Sequence, residues 1–109
     1  MTTITIYKSK NGEYKRLTCK GHAGYAAYGK DIVCAAVSIL TNNVFNSIEQ
    51  LTEDEFTGSA DEKKALFSLS FVNEPSHDAN LIVDSFSIGI ESIADAYGSK
   101  YVSVKIQEL

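Results

Sequence analysis

The chain has no tryptophan, one proline, one methionine and only two cysteines in 109 residues. Two cysteines, Cys19 and Cys34, are too few for a disulfide scaffold, and a reducing cytoplasm, the expected location, would keep both as thiols. No uninterrupted apolar run approaches the ~18 residues of a membrane span, so no membrane association is expected. The opening Met1-Thr2-Thr3-Ile4-Thr5-Ile6 has neither a basic region nor an apolar leader core, so a signal peptide is not expected either. Positive charge is in short supply, with 10 Lys and Arg against 14 Asp and Glu and a net charge of −4. A nucleic-acid binder carries a basic face, so direct nucleic-acid contact is not expected, whereas a basic peptide or protein partner is compatible. Internal repeats, low-complexity runs and linkers are absent too. What remains is 44% hydrophobic and 22% charged, the balance of one globular domain over residues 1–109.

Hydrophobic periodicity sets the expected elements. Thr2 to Lys8 alternates, with Ile4 and Ile6 on one side, as a half-buried strand does. Asn11-Gly12 marks a hairpin turn, and Glu13 to Lys20 returns with Leu17 and Cys19 on one face. Gly21 to Lys30 has no apolar period and contains Gly21, Gly24 and Gly29. It is expected to be a mobile loop, longer than the usual ~4–6 residues and so a candidate for function. Asp31 is a good N-cap for a helix from Ile32 to Leu51 or Thr52, whose stripe is Val33, Val37, Leu40, Val44, Ile48 and Leu51. Phe56 anchors a weak edge strand within Glu53 to Ala60, and Asp61 to Lys64 is a turn. Ala65 to Val72 alternates again, and the break that follows holds the single proline, Pro75. Ser76 or Asp78 caps a second helix from Ala79 to Tyr97, with Ile82, Phe86, Ile90, Ile93 and Tyr97 inward. Gly89 in its middle costs ~1 kcal/mol against alanine, which close approach to a neighbouring helix or subunit would offset. Gly98 ends it, and Tyr101 to Ile106 is a last strand. The order β-β-α-β-β-α-β, with one polar face on every strand, predicts an α+β two-layer sandwich: a mostly antiparallel sheet with two helices on one face.

The chemistry concentrates between Gly21 and Ser38. Taken alone, Cys34 reads as a packed core residue and His22 as a solvated loop residue. Together they say more. His22 ends a strand and Cys34 starts a helix, so both reach the same edge of the sheet, where α/β sites often lie. A thiol in the first turn of a helix feels the positive end of the macrodipole, and a histidine in reach can take its proton. Asp31 satisfies free N–H groups as N-cap or orients His22 as a carboxylate. Ser38 hydrogen-bonds near the thiol or back-bonds to the Cys34 carbonyl. Gly24, Tyr25, Tyr28 and Gly29 form the expected substrate loop, with either tyrosine a candidate for lining a pocket. Cys19, His22, Cys34 and His77 are zinc-capable, and Cys19-x-x-His22 has ligand spacing, but no second tight ligand pair exists. Neither a metal nor any other cofactor is expected.

Gly21-His22-Ala23 followed by Asp31-Ile32-Val33-Cys34-Ala35-Ala36-Val37-Ser38 resembles the signature of the ribosomal-processing cysteine protease family, Prp, and the likeness covers nearly the whole chain. The resemblance implies a His22–Cys34 dyad and a homodimer; Gly21, Asp31 and Ser38 are the supporting candidates beside that pair. It also implies the family substrate, the N-terminal extension of bacterial large-subunit ribosomal protein twenty-seven, cut after paired aromatics. On the residues alone the rival is a non-catalytic, ribosome-associated binding module with a buried structural cysteine. A thiol oxidoreductase lacks its Cys-x-x-Cys.

Overall fold

In the computed structural model, which describes residues 1–27, 29–61 and 63–109, the chain runs through seven elements. They are β1 (Thr2–Lys8), β2 (Tyr14–Lys20), α1 (Ile32–Leu51), β3 (Phe56–Asp61), β4 (Leu66–Phe71), α2 (His77–Tyr97) and β5 (Val102–Glu108). Tyr28 of the expected substrate loop and Glu62 of the expected turn lie outside the described residues.

The strands form one sheet in the order β3-β4-β2-β1-β5. Three neighbouring pairs are antiparallel, and β1 and β5 run parallel. The alternation read from the sequence is the alternation of the sheet. Ile6, Leu17 and Leu69 stand in one cross-strand row, and each is almost fully buried. Thr5, Thr18, Ser68 and Ser59 make a polar row across four strands. Both helices contribute to the single core built on the apolar face, through Val33, Val37, Val44 and Ile48 of α1 and Val83, Phe86 and Ile90 of α2. The result is the two-layer α+β sandwich. Burying each such side chain is worth ~1.5–3 kcal/mol, which places the stability of the domain in this layer.

Details of the elements differ from expectation for physical reasons. The β1–β2 turn is a three-residue loop, Lys10 to Gly12, closed by the Ser9 N–H to Glu13 carbonyl bond at 2.8 Å. Helix α2 begins at His77 rather than Ala79, because Ser76, not Asp78, is its cap: the Ser76 hydroxyl accepts the Ala79 N–H at 3.1 Å. Thr41 is buried on α1 while Leu40 is only partly so, and Leu51 is 71% exposed, one turn beyond Ile48, the last residue of α1 in the core. Tyr97, at the end of α2, is also at the surface. Gly89 is the close approach expected of it. A Cβ there would stand 3.0 Å from Leu40 Cδ1, so the two helices meet at this point. One reading of the sequence needs correcting. Helix α1 is long and apolar enough, by length and composition, to cross a membrane, which a search for uninterrupted runs misses. Here its apolar stripe packs into the core, and Asn42, Asn43 and Asn46 face out.

Candidate active site

The chain leaves β2 at Gly21, whose φ of +92° is open to glycine and strained for other residues. A Cβ at this position would also lie 2.5 Å from the Met1 carbonyl oxygen. Gly21 therefore breaks the strand and redirects the chain. Had the strand continued, Cys19 and His22 would face opposite ways. Instead Cys19 stays on the apolar side of the sheet, paired across to Ile4 and Phe67, and His22 emerges exposed at the sheet edge. The next residue, Ala23, is buried and anchors the loop from below.

Cys34 lies in the first turn of α1, half-buried. Its Sγ is 3.6 Å from His22 Nδ1. A thiol and an imidazole at that separation can pass a proton directly.

Asp31 joins the two halves of the site. Its Oδ1 accepts the Cys34 N–H at 2.8 Å, the capping bond of α1. Its Oδ2 accepts the Tyr25 N–H at 2.9 Å and the Ala26 N–H at 3.4 Å. These donors, that of Cys34 foremost, hold the Asp31 carboxyl below the usual carboxylate range. Both oxygens serve the backbone, so Asp31 is the cap and not a carboxylate turned on His22. The Cys34 N–H, which a free helix N-terminus would offer to an anion, is already taken.

His22 and Cys34 open into a cleft of about 700 Å³ between α1 and the turn joining β3 to β4. Gly24 and Gly29 of the loop line it on one side, and Ala60, Ala65, Leu66 and Phe67 on another. The approach of His22 to Cys34 and the cleft coincide. The model of the family described as cysteine protease Prp matches residues 1–103.

The chain belongs to the Prp family.

A ribosomal processing cysteine protease Prp from Staphylococcus aureus is 28% identical over 97 residues, which cover 89% of this chain and 92% of that protein. The crystal structure of a Staphylococcus aureus Prp in complex with a covalently linked product peptide superimposes with a TM-score of 0.92, at 25% identity, covering 98% of this chain and all of that one. A Streptococcus mutans protein of known structure is also similar, with a TM-score of 0.85 and 29% identity over 100% of this chain and 99% of its own. The chain is thus a cysteine protease of the Prp fold, and the rival reading of a non-catalytic binding module is set aside.

Within this Prp domain the other expected positions separate. Ser38 lines the cleft, but among the described residues its hydroxyl bonds neither the thiol nor the Cys34 carbonyl; its carbonyl accepts from Thr41 Oγ1 at 3.0 Å. Tyr25 does not line the cleft. Its ring packs edge-on against Tyr97 at 5.5 Å and Tyr101 at 5.2 Å, so it ties the loop to the end of α2 and the start of β5. The loop has more anchors than its glycines suggest. Cys19 also borders the cleft, and burial, with the nearby Cys34 thiol adding, pushes its thiol up to about 11. His77 sits exposed at the head of α2 beside Asp78 at 3.2 Å. Among the described residues no three His, Cys, Asp or Glu side chains converge as metal ligands. Sequence reading missed Thr2 and Ala65, which border the cleft from β1 and from the turn before β4. Neither carries a residue type that signals chemistry.

Proposed function

We propose that Cys34 is the nucleophile and His22 the general base of this protease. The single observation that carries the reading is the 3.6 Å approach of Cys34 Sγ to His22 Nδ1 at the mouth of the cleft. His22 takes the thiol proton, and the thiolate attacks the scissile carbonyl to form a tetrahedral intermediate. As that intermediate collapses, the peptide C–N bond breaks, and His22 returns the proton to the leaving amine. A water, deprotonated by the same imidazole, then hydrolyses the thioester and releases the free carboxylate and the thiol. While Asp31 caps α1, the Cys34 N–H is not free for the oxyanion, so a first-turn N–H in that role has a competitor inside the site.

The substrate we propose is the N-terminal extension of bacterial large-subunit ribosomal protein twenty-seven. It follows from the signature around His22 and Cys34 and from the likeness to a ribosomal processing protease. An open cleft with apolar residues on its sheet side suits an extended peptide. A homodimer acting in the cytoplasm belongs to the same reading, and light scattering on the purified chain measures the dimer.

The test is cleavage of a peptide spanning that extension, followed by mass spectrometry. The wild-type chain should cut it at one bond. Folded Cys34→Ala should not, and Cys34→Ser should be nearly as inactive, because a hydroxyl is a far weaker nucleophile here. Substantial turnover by Cys34→Ala overturns the assignment of the nucleophile. Cleavage of unrelated peptides but not of this one overturns the substrate.

A further inference from the structure

The peptide unit that carries His22 is gripped from two sides, and one grip is a buried hydroxyl. Thr2, at the start of β1, is 1% exposed. Its Oγ1 donates to the Gly21 carbonyl at 3.2 Å, the carbonyl of the peptide bond that leads into His22. From the other side, the Gly21 N–H donates to the Ala65 carbonyl at 2.8 Å. Ala65 is the only non-glycine residue with positive φ among the described residues, at +48°. That uncommon backbone conformation sits where its carbonyl receives Gly21. Gly21 can accept the one bond and donate the other only because it has no Cβ to strike the Met1 carbonyl.

We infer that Thr2 is a positioning residue for His22. It acts on the imidazole through the Gly21–His22 peptide, so it sets the Nδ1 to Sγ separation without touching substrate. The inference rests on the proposed role of His22 as base. The physical argument is one of register. His22 is exposed, so its ring relies on its backbone to be aimed at Cys34. A residue turn at Gly21 fixes that backbone only if the carbonyl preceding His22 cannot rotate. Thr2 blocks the rotation from the core side. Proton transfer between heavy atoms is steep in distance, and misplacement by about 1 Å costs on the order of 100-fold in rate.

The experiment compares wild type, Thr2→Val, Thr2→Ala and Thr2→Ser in the full chain. Thermal melts and circular dichroism establish which variants are folded. Two rates are read: kcat and KM for cleavage of the ribosomal-protein peptide, and alkylation of Cys34 by iodoacetamide across pH 5–9. Thr2→Val and Thr2→Ala should lower kcat by about tenfold or more with KM little changed, and should shift the pH profile of Cys34 alkylation. Thr2→Ser keeps the hydroxyl and should restore both. Including Thr2→Ala leaves a reading if Thr2→Val fails to fold. A folded Thr2→Val or Thr2→Ala with wild-type kcat and alkylation profile overturns the inference. So does Thr2→Ser impaired as much as the variants without a hydroxyl. The same measurements in a His22→Ala background separate the two proposals. There Thr2→Val should have no further effect on alkylation, and a further loss overturns the positioning role. If His22→Ala alone leaves alkylation unchanged, it is the assignment of His22 as base that falls.

Discussion

Asp31 holds the Cys34 N–H at 2.8 Å with one oxygen and the Tyr25 N–H at 2.9 Å with the other, so a single side chain couples the start of α1 to the glycine loop. Removing it should loosen both at once. In Asp31→Ala the Tyr25 and Ala26 amides should exchange hydrogen faster while those of the α1 interior stay protected. Unchanged exchange at Tyr25 would mean that its ring contacts alone hold the loop. The link also has a pH signature. The folded-state pKa of Asp31 is lowered, so its contribution to stability is present above the ordinary carboxylate pKa of about 4 and is lost as the pH falls through the lower folded value. The gap in melting temperature between wild type and Asp31→Asn should therefore be constant near neutral pH and close in acid.

His22→Ala should reduce cleavage by ~10²–10⁴-fold, the usual worth of general base catalysis. Cys34 should then alkylate more slowly near neutral pH. Steady-state kinetics and timed alkylation with mass readout check both, and a variant that keeps both rates would point to a different base.

The two thiols should separate in the same alkylation experiment. Burial pushes Cys19 up to about 11, so near pH 8 reagent should label Cys34 and spare Cys19 until the chain is unfolded. Because the folded value is raised, Cys19 favours the folded state fully below its unfolded value of about 9, and that benefit is lost as the pH rises toward 11. Cys19→Ala should keep activity, and Cys19→Ser should lose ~1–3 kcal/mol of stability for a buried hydroxyl. Labelling of Cys19 ahead of Cys34 would reverse the assignment.

Gly58 is exposed on β3 but lies under a ring of α1: a Cβ there would stand 2.3 Å from Phe45. Phe45 also stacks edge-on against Phe56 at 5.0 Å and Phe67 at 6.2 Å, and Phe67 borders the cleft. Gly58→Ala should therefore cost ~1–3 kcal/mol by overpacking and raise KM as Phe67 shifts. Gly89→Ala is the comparison. Leu40 need give by only a few tenths of an ångström and the helix gains up to ~1 kcal/mol, so its melting temperature should stay near wild type. Denaturant titration of both variants tests the contrast.

The elements legible in the sequence are those with a strong period. Ile4 and Ile6, or Val33, Val37, Val44 and Ile48, announce their faces within a few residues, and both proved buried. Strand β3 was weak because only Phe56 along it is even partly buried, so no alternation was there to find. The parallel pairing of β1 with β5 joins Thr2 to Val102, and no local pattern encodes a contact so distant in the chain. Site legibility follows the same rule. His22 and Cys34 stood out by residue type and by the loop and cap between them. The ring contacts of Tyr25 were not legible because its partners, Tyr97 and Tyr101, come from the far end of the chain, and Thr2 was missed because a threonine at a strand start looks like any other.

That pairing of first and last strands also orders events during synthesis. Tyr101 accepts the Thr2 N–H at 2.9 Å and packs its ring against Tyr25, so it holds both the start of β1 and the glycine loop. Contacts this far apart in sequence form late, after the intervening chain has condensed. A nascent chain still lacking Tyr101 and β5 already holds His22, Asp31 and Cys34, yet its β1 is an open edge and its loop lacks the Tyr101 ring contact. The edge of β1 is therefore closed, and the glycine loop fully held, only by the last part of the chain to be made.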